Sequence, residues 1–455
     1  MENNETQNSP LIQKLFQAWW WIPGLMIFVF GLYGLVFNIP VVDTLWYIFG
    51  WYGYLLVLDA VIYCIQDHSF ISDRKIELLE MLLWSVSFWY IYEAYNLILK
   101  NWYYIFGFKS PVVQFIYGLL AFATVFPASF FHYELLKALG LFEDSTPSPR
   151  AFKILRPFSK YFGALCIILP LIIPKYTFWM VWGATLGIPA VINYNIGAES
   201  LLRDLKQGTA TRVYRLLVGG LMAGVVWEGL NYWARCKWIY TVPGLEELKL
   251  FEIPVLGLLG FPILAVSSFS YYSLLNHFLR RGRHWEIKDG EQQNKSRSSG
   301  YIPAVIISVI FSIVVFIGLF NINYKSTRPL LREIPALNST RVKKLKKTGI
   351  HSPEQLYSHA QRQGVNVVAK NANLKTDIVK KSFEFCSLML HKGMGYKNAV
   401  LLNRIGIYTV DQLEDRSPSK IYQNIRNVEK SNSYPRMKEI QVWIRAAELF
   451  GRTKR

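Results

Sequence analysis

Hydrophobic positions along this chain come in blocks as long as a bilayer is thick. Nine stretches, roughly 19–38, 43–65, 81–105, 112–136, 158–174, 176–197, 213–234, 253–278 and 302–322, are apolar and nearly free of charge. A membrane-spanning helix needs about 20 such residues. The fifth and sixth stretches are divided only by Pro174 and Lys175. Beyond residue 325 the pattern changes to apolar residues at helical spacing among polar ones. The pattern predicts an all-α protein: a polytopic membrane helix bundle of about nine spans with a small all-α soluble C-terminal domain. The first apolar run starts at Trp19 behind a polar stretch and has no small-residue cleavage site, so it reads as a retained span.

The apolar part repeats itself. A shift of 134 residues places Pro40 on Pro174, Gly53 on Gly187 and Asp59 on Asn193. A shift of 135 places Glu93 and Asn96 on Glu228 and Asn231, and 136 places Trp102 and Tyr104 on Trp238 and Tyr240. The shared pattern is E-x-x-N followed by W-x-Y. Each block holds four spans, and an even number preserves orientation, so the repeats are expected to be parallel. The organisation predicted is 1–157 for the first membrane repeat and 158–300 for the second with its polar loop. Residues 301–325 follow as a ninth span, and 326–455 as the soluble domain.

Composition agrees. The chain is 52% hydrophobic and only 18% charged, against about 25% charge in soluble proteins. Residues 326–455 hold 25 of the 50 Lys and Arg and 10 of the 31 Asp and Glu, or +15 of the +19 net charge. A basic tail on a near-neutral body suits an anionic surface, lipid headgroups or nucleic acid. The connections 66–80, 137–160, 200–215 and 279–300 carry 17 Lys and Arg against 6 in the others. The positive-inside rule makes these loops and the N-terminus cytoplasmic, at the inner (plasma) membrane of a bacterium. Nine spans then put the tail outside. One miscounted span reverses this, so the side of the tail is left open.

Acids inside spans are costly and mark function or tight pairing. Glu93 and Glu228 lie deep in the third and seventh stretches, each with an Asn three residues on, Asn96 and Asn231, on the same helix face. With Asp59 they are the candidate catalytic groups. Asn96, Asn231, Asn193, His132 and Glu252 are candidate substrate-binding groups. The plainer alternative is a pair of buried polar clamps locking helices together. Trp102, Tyr103, Tyr104, Trp238 and Tyr240 read as an interfacial aromatic belt. Cys64, Cys166, Cys236 and Cys386 have no metal-ligand spacing, so no metal is expected; the cofactor is left unassigned.

The second block continues as LEELKLFEIPVLG, with Glu246, Glu247 and Glu252 ahead of Pro254. An acid-bearing span, a W-x-Y segment and an acidic segment with proline together resemble the small membrane-embedded lycopene cyclases, which also contain two repeated units with intramembrane carboxylates. The resemblance covers about 50 residues. It departs where the family has paired acids after a proline, since here a single Glu252 precedes Pro254. It implies isoprenoid or lipid chemistry.

The tail holds a second repeat. Residues 391–413, HKGMGYKNAVLLNRIGIYTVDQL, and 334–356, IPALNSTRVKKLKKTGIHSPEQL, align at a shift of 57. Val342 matches Ala399, Gly349 matches Gly406 and Ile350 matches Ile407, while Ala336 and Asn338 replace the hairpin glycines Gly393 and Gly395. A last amphipathic helix is predicted around 435–450. This resembles tandem helix-hairpin-helix domains, including bacterial ones of unknown function. The resemblance implies that the hairpin backbone holds a phosphate, with Gly393, Gly395 and Lys397 as contacts and Lys343, Lys344, Lys346 and Lys347 as a basic strip. Such units also serve as protein-interaction or self-association modules.

Three functions fit. The first is a membrane protein with a carboxylate/amide site that modifies a lipid or isoprenoid; whether it is an enzyme stays open. The second is an ion- or proton-coupled transporter or channel. The third is an anchor whose basic tail binds nucleic acid or a protein partner. No Walker sequence, G-x-S-x-G or H-E-x-x-H is present.

Overall fold

In a computed structural model the chain is mostly helical; residues 10–242, 248–286, 297–429 and 434–454 are described. Six described helices are long and apolar enough to cross a bilayer: Trp46–Gln66, Pro111–Ala138, Ala151–Ile172, Thr211–Trp233, Val255–Leu279 and Tyr301–Ile322.

The other three apolar stretches take different forms. Trp21–Val36 is apolar but has only 16 residues. Lys75–Leu99 has 25 and carries Glu77, Glu80 and Glu93. It begins six residues before the predicted stretch and ends where Lys100 turns left-handed, at φ 53° and ψ 47°. Trp102–Ile105, predicted as its final turns, is a strand. Aromatic and β-branched residues favour a pleated surface once the helix has stopped. Residues 174–196 are broken into a single turn, a tight 3-10 segment Phe178–Gly183 and the short helix Gly187–Ile196. Pro174, Gly183 and Gly187 are poor helix formers, and they sit at these breaks.

The chain divides into two compact units. The first comprises residues 1–100, 115–234 and 251–321. Helices cross closely where glycine leaves room. A Cβ on Gly53 would lie 2.7 Å from the Gly24 carbonyl oxygen, and one on Gly187 2.4 Å from the Ser159 carbonyl oxygen. Small residues let backbones approach in this way inside membranes. The core is aromatic, with Trp51, Trp84, Phe88, Tyr92 and Tyr272 fully buried.

The second unit comprises residues 101–114, 235–250 and 322–455. Trp102–Ile105 and Lys237–Tyr240 pair as an antiparallel ribbon, with Trp102 opposite Tyr240, Tyr103 opposite Ile239 and Tyr104 opposite Trp238. Residues 323–328 run beside the first strand: the Tyr104 N–H donates to the Asn323 carbonyl and the Lys325 N–H to the Tyr104 carbonyl, both at 2.9 Å. Seven described α-helices follow, from Ser339–Lys347 to Met437–Lys454, around a core that includes Leu345, Leu356, Cys386, Ala399, Leu402, Ile425 and Trp443.

Within this unit two stretches fold alike. The Ile350 N–H donates to the Leu345 carbonyl at 3.1 Å, and 57 residues on the Ile407 N–H donates to Leu402 at 3.0 Å. Gly349 and Gly406, at φ 83° and 81°, make the left-handed exits. The next step also matches. Gln355 accepts from the His351 N–H at 2.7 Å and Gln412 from the Tyr408 N–H at 2.6 Å.

Candidate functional site

The Lys75–Leu99 and Thr211–Trp233 helices each bring one carboxylate and one amide into the first unit. Glu93, Asn96, Glu228 and Asn231 are all fully buried. Helical spacing makes the local geometry. One turn before Glu93, the Trp89 indole N–H donates to Glu93 Oε1 at 3.0 Å, and three residues after it Asn96 Nδ2 donates to Oε2 at 3.4 Å. The two helices meet through tryptophan. The Trp89 ring lies 5.2 Å from Trp227, next in sequence to Glu228. Trp227 also packs on Trp51 at 6.1 Å, Phe261 at 5.9 Å and Tyr47 at 6.5 Å. Tyr47 in turn lies within the field of Glu228. Across the first helix, Tyr92 packs on Trp182 at 5.3 Å, and its hydroxyl is 2.7 Å from Thr185. The result is two buried carboxyl groups lined by indole and phenol faces. Carboxyls can move protons, and aromatic faces attract cations when water is excluded.

The other candidates hold neighbouring segments. Asp59 accepts from the Ser69 hydroxyl at 2.6 Å and from the Phe70 and Ile71 N–H groups at 3.0 and 3.3 Å, capping the turn Phe70–Asp73. His132 Nδ1 donates to the Ala128 carbonyl at 2.6 Å, leaving Nε2 to accept from the Tyr54 hydroxyl at 2.8 Å. Asn193 Nδ2 donates to the Ser270 carbonyl at 2.7 Å. Glu252 is buried. Glu246 and Glu247 lie outside the described residues.

Sequence reasoning missed a network of buried ion pairs in the same unit. Glu77 accepts from the Tyr272 hydroxyl and from Arg280 at 2.6 Å. Glu80 accepts from Arg297 at 2.8 Å and from the Tyr301 hydroxyl at 2.5 Å. Arg74 pairs with Glu134 at 3.1 Å, both buried. Glu286 takes Lys137 at 3.1 Å and Arg212 at 3.7 Å. Burial alone raises the Glu286 carboxyl, but these two cations outweigh it and hold it below the usual range. Burial pushes the Asp204 carboxyl up, although Arg212 opposes it. The charges were visible, with Glu77 and Glu80 just ahead of the third apolar stretch, but their long-range pairing was not.

In the second unit, the turn at Gly393 and Gly395 is covered by the chain itself. A Cβ on Gly393 would lie 2.3 Å from Ile105 Cγ2, and one on Gly395 2.7 Å from Ser326 Cβ. The Ser326 hydroxyl donates to the Gly393 carbonyl at 2.9 Å and the Tyr103 hydroxyl to the Lys392 carbonyl at 2.8 Å. The ribbon and the 323–328 segment thus occupy the turn where the sequence resemblance places a phosphate. Lys397, Lys343, Lys346 and Lys347 are exposed, and Lys344 donates to the Asn373 carbonyl at 2.9 Å. A cavity of about 410 Å³ opens nearby, lined by Tyr357, Phe383, Glu384, His391, Lys392 and Asp411 among others. Burial pushes the His391 imidazole down to about 4, although its bond to the Trp443 carbonyl works the other way.

Among the described residues no group of three or more His, Cys, Asp or Glu is placed to hold a metal ion. No curated protein and no solved structure matches the chain. Residues 335–449 match the family described as a domain of unknown function, DUF4332.

Proposed function

We propose that the first unit is a duplicated membrane body whose paired acid–tryptophan centre performs proton-driven chemistry on an isoprenoid-type lipid. We propose also that the tail is a tandem helix-hairpin-helix module that docks polypeptide rather than nucleic acid. The observation that carries the first reading is the meeting of Trp89 and Trp227 beside Glu93 and Glu228.

Duplication is supported by matching contacts. Gly53 and Gly187, 134 apart, are each the close crossing point of the first two apolar segments of a block. The ribbon register, Trp102 on Tyr240 and Tyr104 on Trp238, is also the one a two-fold axis gives.

Parity supports nine crossings. Strands that share backbone hydrogen bonds lie on one side of a bilayer, so an even number of crossings separates Ile105 from Lys237. Three of the six long helices lie between them. We take the broken segment 174–196 as the fourth crossing that this parity calls for. The buried ion pairs join the loops after the second, fourth, sixth and eighth segments: Arg74 to Glu134, Lys137 to Glu286, and Arg212 to Glu199 at 3.4 Å. The ribbon and tail follow the third, seventh and ninth.

The chemistry is acid addition to an alkene. A carboxyl proton forms a C–H bond as the π bond breaks, and the carbocation left behind is stabilised by aromatic faces. The second carboxylate then takes a proton from a neighbouring carbon to form a new double bond. The test is to incubate full-length protein in lipid with a linear polyene such as lycopene and follow products by mass spectrometry. Conversion by wild type, with Glu93→Gln and Glu228→Gln each inactive yet accumulating normally, is expected. No conversion by wild type, or full conversion by both variants, overturns the reading. The tail reading is tested below through Gly393.

A further inference from the structure

A row of polar side chains runs through the first unit along the helix Gly260–Leu279. Ser267, Ser270, Ser273 and Asn276 recur every third residue and are all buried. Residues three apart on a helix are neighbours, with Cβ atoms roughly 5–6 Å apart. The row advances about 13 Å along the axis. Such a row is costly in an apolar bundle unless its polar atoms are satisfied.

Its upper end is satisfied by protein. The Ser267 hydroxyl donates to the Trp182 carbonyl at 3.2 Å, beside the Tyr92–Thr185 pair and its contact with Trp89 at 5.6 Å. The Ser270 carbonyl takes Asn193. Below that the partners run out. Ser273 Oγ, Asn193 Oδ1 and both Oδ1 and Nδ2 of Asn276 have no partner among the described residues. Asn276 is 2% exposed and Asn193 1%. Asn276 lies one turn from Tyr272 and one turn from Arg280, and both of these hold Glu77. The unsatisfied amide therefore sits between the two residues that anchor the charged cluster.

Buried water meets this need, since each molecule makes two to four bonds to polar groups that lack other partners. We propose that a file of water follows Asn276, Ser273, Asn193 and Ser270 from the Glu77–Arg280 cluster to Tyr92 and Thr185, and that it returns protons to the acid–tryptophan centre. When a carboxyl has given its proton to a substrate carbon, hydroxyls and waters along the row each pass one proton inward. The proton that the second carboxylate takes from the substrate leaves by the same row, so uptake and release at the charged end balance over each turnover. This role rests on the acid reading of Glu93 and Glu228; the presence of water does not.

The test separates the two. Asn276→Cys and Ser273→Cys are made in the full chain with Ser268→Cys as a control. Ser268 is equally buried on the same helix, but its hydroxyl donates to the Leu264 carbonyl at 2.8 Å. A small methanethiosulfonate amine, which needs water to form its thiolate target, is applied, and each site is read by mass spectrometry. Labelling at positions 276 and 273 at least tenfold faster than at 268 is expected. Equal rates overturn the file. Fast labelling together with full product from Glu93→Gln keeps the file and removes its proton role. Hydroxyl-radical footprinting of the unaltered protein covers variants that fail to fold. Tyr92 and Tyr272 should be oxidised faster than Tyr103, which is as deeply buried but lies off the row; equal oxidation also overturns the file.

Discussion

Replacing Gly393 with alanine tests whether the tail's hairpin is a socket for polypeptide. Two costs arise at this residue. Its φ of 68° is left-handed, which costs a residue with a Cβ about 1–2 kcal/mol. The new Cβ would also lie 2.3 Å from Ile105 Cγ2, and overpacking of that kind costs about 1–3 kcal/mol. Gly406 separates the two costs, because its φ is 81° but nothing lies within 4 Å of its Cβ position. Gly406→Ala should therefore lose about 1–2 kcal/mol and Gly393→Ala about 2–5 kcal/mol. For a unit of this size each kcal/mol moves Tm by about 2–4 °C. The assay is thermal proteolysis of the full-length protein in detergent, following a C-terminal epitope. Ile105→Ala opens space in the socket, so the extra loss at Gly393 should shrink in that background. If Gly393→Ala and Gly406→Ala cost the same, or if Ile105→Ala leaves their difference unchanged, the ribbon does not fill the turn. Tight, salt-dependent DNA binding by the unaltered protein would also refute the docking reading.

Two further outcomes follow from charge and topology. His391 is neutral in the folded tail down to about pH 4, whereas an unfolded histidine titrates near 6.5. Between these values the unfolded chain binds the extra proton, so stability is full above about pH 6.5 and falls as pH drops toward 4. Exposure to the cavity tempers the effect to roughly 2 kcal/mol. A pH series of tail melting for wild type and His391→Gln checks this; parallel curves would refute it. The proposed nine crossings predict that the loop after the fourth segment and residue 419 are reached from different sides of the membrane. An impermeant maleimide applied to intact cells should react with Ser419→Cys and not with Ser148→Cys. Labelling of both or neither from one side would remove a crossing.

The six long apolar helices were legible because length and apolarity alone define them. Their ends were less so. Trp102–Ile105 is as apolar as the helix before it, and only the left-handed Lys100 and the pairing with Lys237–Tyr240 make it a strand. The segment 176–197 passes a hydropathy test, but its glycines and prolines set its broken shape. The Trp89–Glu93–Asn96 geometry follows from helical spacing and was readable. The ion pairs were not, because they join residues far apart, 60 positions for Arg74 and Glu134 and 203 for Glu77 and Arg280. In the sequence each such charge looks like ordinary loop polarity. The Gly393 turn was visible as a turn; its occupant, arriving from 288 positions upstream, was not.

The ribbon limits how the strands it joins can move. Tyr103 and Ile239 face each other and are both buried. A slip of one residue would carry one strand's side chains to the opposite face from the other's and expose one of this buried pair. Register and burial together therefore hold this four-residue seam, and it resists sliding along its length.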